Sequence, residues 1–547
     1  MKLLRLFNTI RFLKFEQIFF RIYFSLIKKK LGKRKSRPFF TVNSKKSNFI
    51  HIEKNNSYIL KRDSFNFLNL EHSFKDIGWN SNDVDLLWNY NLHYFDYLNQ
   101  SSPEDESSFK LKFINDWIES DPKKTSIGWD SYPLSLRLVN WIKWSIKSNY
   151  TEKTFIESIF DQTNFLESRL ERHILGNHLF ANCKALIFSG IFLNGPDPER
   201  WLKKGLKLFE RELNEQVLED GGNFELSPMY HLIFLEDLLD IANLLSAYEM
   251  NVSSSLRSLI DKSIYKMINW INFLKHPDNS LVLFNDCAEN IALPIEDMHT
   301  YASKLGFEAN VDENNNLTYL EASGYIRYKN KDLVAFIDVA KIGPNYIPGH
   351  GHADLFSFEA SFFGQRVFVN SGTSCYGISE RRLYERSTVA HNTLEIDNKS
   401  SSDVWSGFRV ANRAYPRKPS IKYNNESQEA AISCSHNGYS KIFKKVIHNR
   451  EWIFNKNSME VIDNINGSFD TAISRLHIHP LISVQEYSKE SISLKLNNGN
   501  LIYLMVENGS FFITNTKFSL GFGLLEANMC INIKIVDNSK CRLIINY

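Results

Sequence analysis

The chain has 547 residues, of which 43% are hydrophobic and 23% charged, and this indicates a globular protein with two or three domains. Its net charge of +3 is uneven, because residues 1–37 hold twelve Lys/Arg residues and a single acid, Glu16. The rest of the chain is mildly acidic and gives no sign of nucleic-acid binding. Six scattered cysteines, without a C-x-x-C pair, argue against a disulfide scaffold or a cysteine zinc site.

The first fifty residues are predicted to form a basic, amphipathic segment. Apolar residues recur there at roughly helical spacing, but charged residues interrupt them, so neither a secretory signal nor a transmembrane helix is expected. Two interpretations remain open. One is a helix lying in a membrane interface, followed by basic clusters at 28–30 and 33–35. The other is a helix docked on the body with a solvated basic face. The first predicts peripheral membrane contact, in the cell envelope or periplasm or at the cytoplasmic membrane face.

Residues 51–315 are predicted to form a helical domain. Leu256, Ile260, Ile264, Met267 and Ile271 follow the spacing of a helix that is packed on one face. Similar patterns, without strand patterns between them, run through 107–119, 132–149, 153–170, 178–193, 199–218 and 230–249. Successive helices joined by short loops are typical of an all-α domain.

Residues 316–547 are predicted to form antiparallel β-sheets. The apolar residues Phe356, Phe358, Ala360 and Phe362 alternate with polar ones. Tight turns are expected at 364–365 and 455–458, each between two strand-like runs. The predicted fold class is therefore α+β and multidomain, with the domain boundary near the polar stretch 312–316.

Four short clusters carry residues capable of chemistry. They are Gly176-Asn177-His178, the segment from Gly221 to His231 that includes Glu225 and Tyr230, Gly349-His350-Gly351-His352-Ala353-Asp354, and the segment from Arg386 to Thr393 that includes His391. Taken singly, each has an ordinary structural explanation. Asn177 suits a helix N-cap, Tyr230 and His391 suit a core, and a His-x-His pair alone is a weak signal for a metal site.

Together, the order and spacing of these clusters resemble the heparinase II/III-like family of polysaccharide lyases. The segments around Trp129 to Arg137 and Trp88 to Tyr94 also look like this family's helical domain. The resemblance covers most of the chain. It implies an incomplete (α/α) toroid followed by an antiparallel β-sandwich-like domain, in agreement with the patterns above.

The resemblance implies cleavage of a uronic-acid-containing glycan by β-elimination. The residues assigned to catalysis are Asn177 and His178, which would hold the uronate carboxylate, and Tyr230 and His350, which would share the proton transfers. If these two lie on opposite faces of the sugar ring, one is the base and the other the acid, whereas in a syn elimination Tyr230 could serve as both. Because an unperturbed tyrosine is a poor base, we expect cationic neighbours, Arg386 or His231, to lower the pKa of Tyr230.

The resemblance further implies a structural divalent metal, zinc or similar, and no organic cofactor. Its ligands would be His352 and His391, with Asn370 at the position where the family has an aspartate. A neutral amide oxygen is a weaker ligand than a carboxylate, so metal affinity is expected to fall. The residues expected to bind the acidic polysaccharide are Trp129, Tyr132, Arg137, Glu225, His231 and Arg386.

Two other functions remain open at this point. One is a catalytically inactive glycan-binding or assembly protein on the same fold. The other is a glycoside hydrolase, which needs two carboxylates, and Glu225 and Asp354 are the available pair. For the lyase, capsule, exopolysaccharide or lipopolysaccharide metabolism is the expected setting. The polymer, the mode of cleavage, the stereochemistry of elimination and the oligomeric state stay open.

Overall fold

The computed structural model describes residues 2–26, 40–43, 48–53, 58–61, 63–100, 107–120, 126–308, 315–442, 445–535 and 540–547. The predicted basic clusters at 28–30 and 33–35, and most of the predicted boundary stretch 312–316, lie outside these residues. Helices dominate the N-terminal half of the chain and antiparallel sheets the C-terminal half, as the fold-class prediction states. The toroidal arrangement of the helices stays a prediction.

The helices have the following bounds: α1 Lys2–Ile10, α2 Phe15–Leu26, α3 Phe74–Ile77, α4 Leu86–Tyr94, α5 Ser107–Ser120, α6 Ser131–Ser148, α7 Lys153–Glu167, α8 Gly176–Phe192, α9 Pro196–Gln216, α10 Pro228–Ala247, α11 Ser254–Phe273, α12 Ile295–Lys304, α13 Glu380–Glu385 and α14 Gly438–Ile442. The seven helical patterns of the sequence are thus confirmed as α5 to α11, with ends displaced by a few residues. Their apolar faces meet in one core that includes Trp88, Trp141 and Trp201.

The strands have the following bounds: β1 Thr41–Val42, β2 Ile59–Lys61, β3 Ser64–Phe67, β4 Leu70–Ser73, β5 Leu193–Asn194, β6 Leu317–Leu320, β7 Tyr325–Lys329, β8 Leu333–Asp338, β9 Phe358–Phe362, β10 Gln365–Phe368, β11 Leu394–Ile396, β12 Val404–Trp405, β13 Arg409–Val410, β14 Ser420–Tyr423, β15 Ala430–His436, β16 Ile447–Asn455, β17 Ser458–Asn466, β18 Ala472–His477, β19 Ser483–Tyr487, β20 Ser491–Lys495, β21 Leu501–Glu507, β22 Gly509–Gly521, β23 Leu524–Ile535 and β24 Lys540–Asn546. The large sheets have the orders β10-β9-β8-β7-β6, β11-β18-β23-β22 and β14-β15-β16-β17-β24-β21-β20-β19.

A small sheet, β2-β3-β4, corrects the prediction that the first domain is helical throughout. Phe65 and Phe67 alternate with polar residues and are buried, as in a half-buried strand. Leu68 and Asn69 both have positive φ, at 56° and 60°, which gives the tight turn between β3 and β4.

Strand β9 connects the two domains because both of its faces are buried. Phe358, Ala360 and Phe362 point into the β-domain core. On the opposite face, Glu359 accepts a 2.9 Å hydrogen bond from His276, which follows α11 of the helical domain. The alternation of polar and apolar residues in this strand therefore marks a domain interface and not an exposed face.

Helices α1 and α2 are docked on the body of the protein. Arg5 Nε donates to Asp403 of the β domain at 3.0 Å, and Lys14 pairs with Glu215 of the helical domain. Gln17 Nε2 donates to Ile174 O at 3.0 Å and to Tyr346 O at 3.2 Å, one on each domain. Among the described helices, none combines the length and the apolar character needed to cross a bilayer.

Candidate active site

A cavity of about 1190 Å³ lies between the helical and β domains. The four residues assigned to catalysis line this single cavity: Asn177, His178, Tyr230 and His350. They come from the start of α8, the start of α10 and the loop between β8 and β9, which are far apart in sequence. The fold therefore brings together the residues that the motifs pointed to separately.

His350 is held in place by a buried aspartate. Its Nδ1 lies 2.9 Å from Asp286 Oδ2, and its backbone oxygen accepts from the Asp286 amide at 3.0 Å. Although burial disfavours the charged form, Arg382 and two histidines hold the pKa of Asp286 well below its usual range. A carboxylate accepts only, so Nδ1 carries the proton toward Asp286. This leaves Nε2, which is 3.4 Å from Glu225 Oε2 with no hydrogen bond between them, as the ring nitrogen that can take up a proton.

Tyr230 lies directly against His350, with ring centroids 3.8 Å apart. Its position is set by Ser227, whose side chain accepts from the Tyr230 amide and caps α10. The Tyr230 hydroxyl is 2.9 Å from the hydroxyl of Tyr376, which also lines the cavity. Burial and the neighbouring Tyr376 raise the pKa of Tyr230 well above its usual range, so the phenol keeps its proton.

Asn177 lies in the first turn of α8 and is not its N-cap, because the helix begins at Gly176. Its backbone amide donates to Glu225 Oε1 at 3.3 Å, while its side-chain oxygen has no hydrogen-bond partner in the described part of the chain. Gly176 has φ +58°, and a Cβ there would lie 2.9 Å from Ile347 and 3.1 Å from Glu225. Because glycine has no Cβ, the first turn of α8 can approach the β domain at residue 176. This places Asn177 in the wall of the cavity.

His178 is next to Asn177 and is paired with Glu171 at 3.0 Å. Burial lowers its pKa, but the Glu171 carboxylate outweighs this effect, so the pKa of His178 is raised above its usual value. Tyr132 also lines the cavity, with its ring centroid 4.5 Å from that of His178. Of the six residues expected to bind the polysaccharide, Tyr132 is the one whose side chain lines the cavity.

Trp129 and Arg137 are enclosed in the helical core, away from the cavity. Trp129 is 3% exposed and packs against Phe165. Arg137 is fully buried, donates to Gln162 at 2.8 Å and has its guanidinium over the Trp117 ring. Neither side chain reaches a polysaccharide in the cavity, so their expected role in binding is withdrawn in favour of packing.

His231 and Arg386 are also buried supports. His231 bonds to Met267 O at 2.9 Å and stacks on Trp270. Arg386 donates to Gly351 O at 2.9 Å and to Gly407 O at 3.2 Å, which fixes two loops of the β domain. Neither lines the cavity, and the pKa of Tyr230 is raised, not lowered. Burial also lowers the pKa of His231 to about 3, so the expectation that His231 or Arg386 activates Tyr230 is corrected.

Glu225 lies beneath the cavity and is 1% exposed. Its second oxygen is 3.4 Å from His350 Nε2, and burial raises its pKa. It therefore supports Asn177 and His350 and does not itself face a ligand. Asp354 is buried in a separate cluster, so the pair does not flank a common substrate bond, and the arrangement does not favour a hydrolase.

A candidate metal cluster lies behind the cavity. His352, Asp354 and His391 each place a ligand atom within 4.8 Å of the others, and all three are buried. His352 Nδ1 and both ring nitrogens of His391 lack a well-formed hydrogen bond in the described part of the chain. Burial lowers the pKa of His352 to about 4 and that of His391 well below its usual range, so both are neutral, as ligands must be.

The side-chain oxygen of Asn370, the third ligand that the sequence suggested, is already hydrogen-bonded. It accepts from Ser357 Oγ at 2.7 Å and from the Asn392 amide at 3.3 Å. Asp354 instead supplies the carboxylate beside the two histidines, and burial raises its pKa to about 6, which a cation would reverse. The residues present therefore fit a divalent metal, with a different third ligand from the one the sequence suggested.

Asp286, Arg382 and Tyr376 are parts of the site that the motifs did not reveal. Arg382 is fully buried and donates to both oxygens of Asp286, at 2.7 Å for Oδ2. Asp286 lies in the irregular stretch between α11 and α12, where no periodic pattern marks it. The sequence does contain one sign of Asp286, because the polar pair Asn285-Asp286 interrupts the apolar run that begins at Leu281.

Two family models match the chain. The model described as "Heparinase II/III N-terminus" matches residues 37–305, and "Heparinase II/III-like, C-terminal" matches residues 312–541. Among solved structures, heparinase III superposes with a TM-score of 0.71 at 17% identity, over 86% of this chain and 78% of that one. A Paenibacillus xanthan lyase superposes with a TM-score of 0.52 at 8% identity, over 85% and 54%.

Similar curated proteins include two named heparin-sulfate lyase. The one from Bacteroides stercoris is 25% identical over 351 residues, which are 59% of this chain and 52% of that protein. The one from Bacteroides thetaiotaomicron is 23% identical over 340 residues, which are 53% and 48%. The chain spans about half the length of these relatives. Since the two family models together account for most of its length, the chain belongs to the heparinase II/III-like family.

Proposed function

We propose that the chain is a polysaccharide lyase, a carbon–oxygen lyase that cleaves a uronic-acid-containing glycan by β-elimination. The observation that carries the proposal is the contact of Tyr230 with His350 in the cavity that Asn177 and His178 also line. The curated relatives named heparin-sulfate lyase support the same chemistry. An inactive binding protein would have no need to keep a proton donor, a proton acceptor and a carboxylate site together.

Elimination begins with a proton that is barely acidic. The C5–H bond lies next to a carboxylate that is already negative, and removing the proton places further charge on that carboxylate. His178, whose pKa Glu171 raises, and the amide of Asn177 are the groups that hold and stabilise it. The electron pair of the C5–H bond then forms the C4=C5 double bond as the C4–O4 bond breaks.

His350 and Tyr230 divide the proton transfers in this proposal. Nε2 of His350 takes the C5 proton, since Asp286 occupies the Nδ1 side and stabilises the cation that forms. Tyr230, whose pKa is raised, remains protonated and donates to O4 as the glycosidic oxygen leaves. The two rings are too close for a sugar ring to lie between them, so both act on one face of the uronate and the elimination is syn.

The Asp286 carboxylate has a defined place in this scheme. It touches no substrate but fixes the ring orientation and tautomer of His350, and it also contacts Arg382 and His352.

Syn elimination requires H5 and O4 on the same face, which is the stereochemistry of 4-linked glucuronate and mannuronate. Such polymers are the substrates expected from this geometry.

The first prediction concerns the acid. Tyr230→Phe should lower kcat by about 10²–10⁴-fold, the usual range for a lost general acid, measured as ultraviolet absorbance of the unsaturated uronate product. Tyr376→Phe removes the neighbouring hydroxyl and serves as the matched control, with a much smaller loss expected. In deuterated water, the Tyr230→Phe variant should still exchange the C5 proton, because His350 is intact. Loss of this exchange would show instead that Tyr230 is also the base.

The second prediction concerns the carboxylate site. Glu171→Gln removes the charge that raises the pKa of His178, so the imidazolium should be lost at lower pH. KM should therefore rise most at pH values where His178 is protonated in wild type but not in the variant, and the difference should vanish at a pH low enough to protonate both. Glu199→Gln, an exposed change on α9, is the control and should leave the KM profile unchanged. A pH-independent rise in KM would contradict a cationic role for His178.

We also propose that His352, Asp354 and His391 hold a structural divalent metal, zinc or similar, that ties the segment before β9 to the segment before β11. It would supply cross-linking and charge neutralisation behind the site. Purified protein should contain about one ion per chain, and His391→Ala should lose the ion and lower the thermal unfolding midpoint. His299→Ala, a half-buried histidine elsewhere, should retain the ion. Wild-type protein without a bound ion would end this assignment.

Peripheral membrane contact through α1 and α2 is the last part of the proposal. Their outer surface exposes several large apolar side chains, among them Leu3 at 83%, Phe7 at 61%, Phe15 at 81%, Phe19 at 48% and Ile22 at 56%. Apolar side chains beside lysines and arginines are typical of helices that lie in an anionic lipid interface. This location suits an enzyme that acts on capsule, exopolysaccharide or lipopolysaccharide during assembly.

The membrane prediction is tested with vesicles. The double variant Phe15→Ser/Phe19→Ser should bind phosphatidylglycerol vesicles about tenfold or more weakly than wild type, as follows from the free energy of burying two phenylalanines. The control is Leu524→Ser/Leu525→Ser, which removes two exposed leucines from the β domain, at 42% and 39% exposure. Equal vesicle binding by wild type and both variants would exclude the helices as the contact.

A further inference from the structure

The basic side chains that line the cavity fall into two groups. Four of them are paired with a carboxylate: Lys143 with Asp240 at 3.0 Å, Lys184 with Asp237 at 2.7 Å, His178 with Glu171 at 3.0 Å, and His350 with Asp286 at 2.9 Å. Any positive charge on these four is compensated within the protein. The remaining two lining cations are Arg21 and Arg409.

Arg21 and Arg409 have no carboxylate partner among the described residues. Both are exposed. Arg21 uses its Nε to donate to His173 O at 3.2 Å, and the Arg409 guanidinium lies 4.8 Å from the ring centroid of Trp405. Both side chains line the same cavity, and burial together with the positive charge of Arg409 lowers the pKa of Arg21. Two like charges held close together favour an anion between them.

The two arginines reach the cavity from different parts of the chain, Arg21 from α2 and Arg409 from β13. Arg21 contacts His173 in the loop that leads into α8. Arg409 follows Phe408, whose ring centroid is 6.0 Å from that of His350. An anion bound by the two guanidinium groups would therefore lie in the same cavity as Asn177 and His350.

Helix α2 holds Arg21 firmly in this position. Gln17, one turn earlier, bonds to Ile174 O of the helical domain and Tyr346 O of the β domain. Glu16 pairs with Arg211 at 3.2 Å, and Arg413 lies over the Phe12 ring just before the helix. A guanidinium on a docked helix loses little further entropy when it binds, so the site is preorganised.

We propose that Arg21 and Arg409 form an anion-binding subsite for an acidic substituent on a sugar next to the cleaved bond. This deepens the proposed function and rests on it. A guanidinium matches the two oxygens of a carboxylate or sulfate, and a bidentate contact fixes the orientation of that sugar. Arg21 precedes the family-matched residues, which begin at 37, so this half of the subsite belongs to the N-terminal segment of this chain.

The test compares Arg21→Gln, Arg409→Gln and the double variant. On the uronate polymer that the wild type cleaves, each single change should raise KM about tenfold, the effect of one charge-assisted hydrogen bond, with kcat changed less than about threefold. The matched control is Arg11→Gln, an exposed arginine on the same segment that does not line the cavity, and its KM should equal that of wild type. An unchanged KM in the double variant would overturn the proposal.

Calorimetry with oligosaccharides separates the subsite from the chemistry. Tetrasaccharides of unsulfated glucuronate–N-acetylglucosamine, their carboxyl-reduced forms and their sulfated forms are titrated into wild type and the double variant. The arginines should affect affinity only when the anion that they bind is present. If they bind a carboxylate, wild type and double variant should bind the carboxyl-reduced forms equally. If they bind a sulfate, the two proteins should differ in affinity only for the sulfated forms. Equal affinity of both proteins for every acidic form would contradict the subsite. If the double variant binds more weakly but wild type forms no unsaturated product, the subsite is supported and the proposed lyase activity is wrong.

Discussion

The buried carboxylate of Asp286 is the group on which the site depends. It is fully buried and accepts from Arg382, His350 and His352, and its own backbone amide donates to His350 O. Burying an ion is costly unless its partners replace the water it loses, and removing one partner of such a group typically costs about 3–5 kcal/mol. The same contacts that satisfy the carboxylate fix the ring that is to take the proton.

Asp286 also explains how the two domains act as one site. It belongs to the helical domain, in the stretch between α11 and α12, while its partners belong to the β domain. His276 and Glu359 repeat the arrangement on β9, where a histidine from one domain meets a buried glutamate from the other. These contacts bring Asn177 and Tyr230, in the first turns of α8 and α10, to the same cavity as His350 on a loop of the β domain. Helix α2 adds a third connection across the same cleft.

Much of this was predictable because it depends on local pattern. Helical periodicity gave α5 to α11, and the family resemblance of the short motifs pointed to Asn177, Tyr230 and His350, which line one cavity. Residues acting through tertiary contacts were missed or misassigned. Asp286 has no periodic context, and Arg386 stands beside a motif but points at backbone carbonyls. The Asn370 oxygen accepts from Ser357, whereas Asp354 lies beside the two histidines, and only the folded chain shows this.

The central claim is that the cavity performs elimination, and isotope labelling of the product tests it most directly. A 4-linked glucuronate or mannuronate polymer is incubated with the enzyme in oxygen-18-labelled water, and the products are analysed by mass spectrometry. Elimination breaks the C4–O4 bond without adding water, so the account predicts an unsaturated uronate at the new non-reducing end and, at early times, no oxygen-18 apart from slow exchange at the reducing-end hemiacetal. Saturated products that carry oxygen-18 would contradict it and establish hydrolysis.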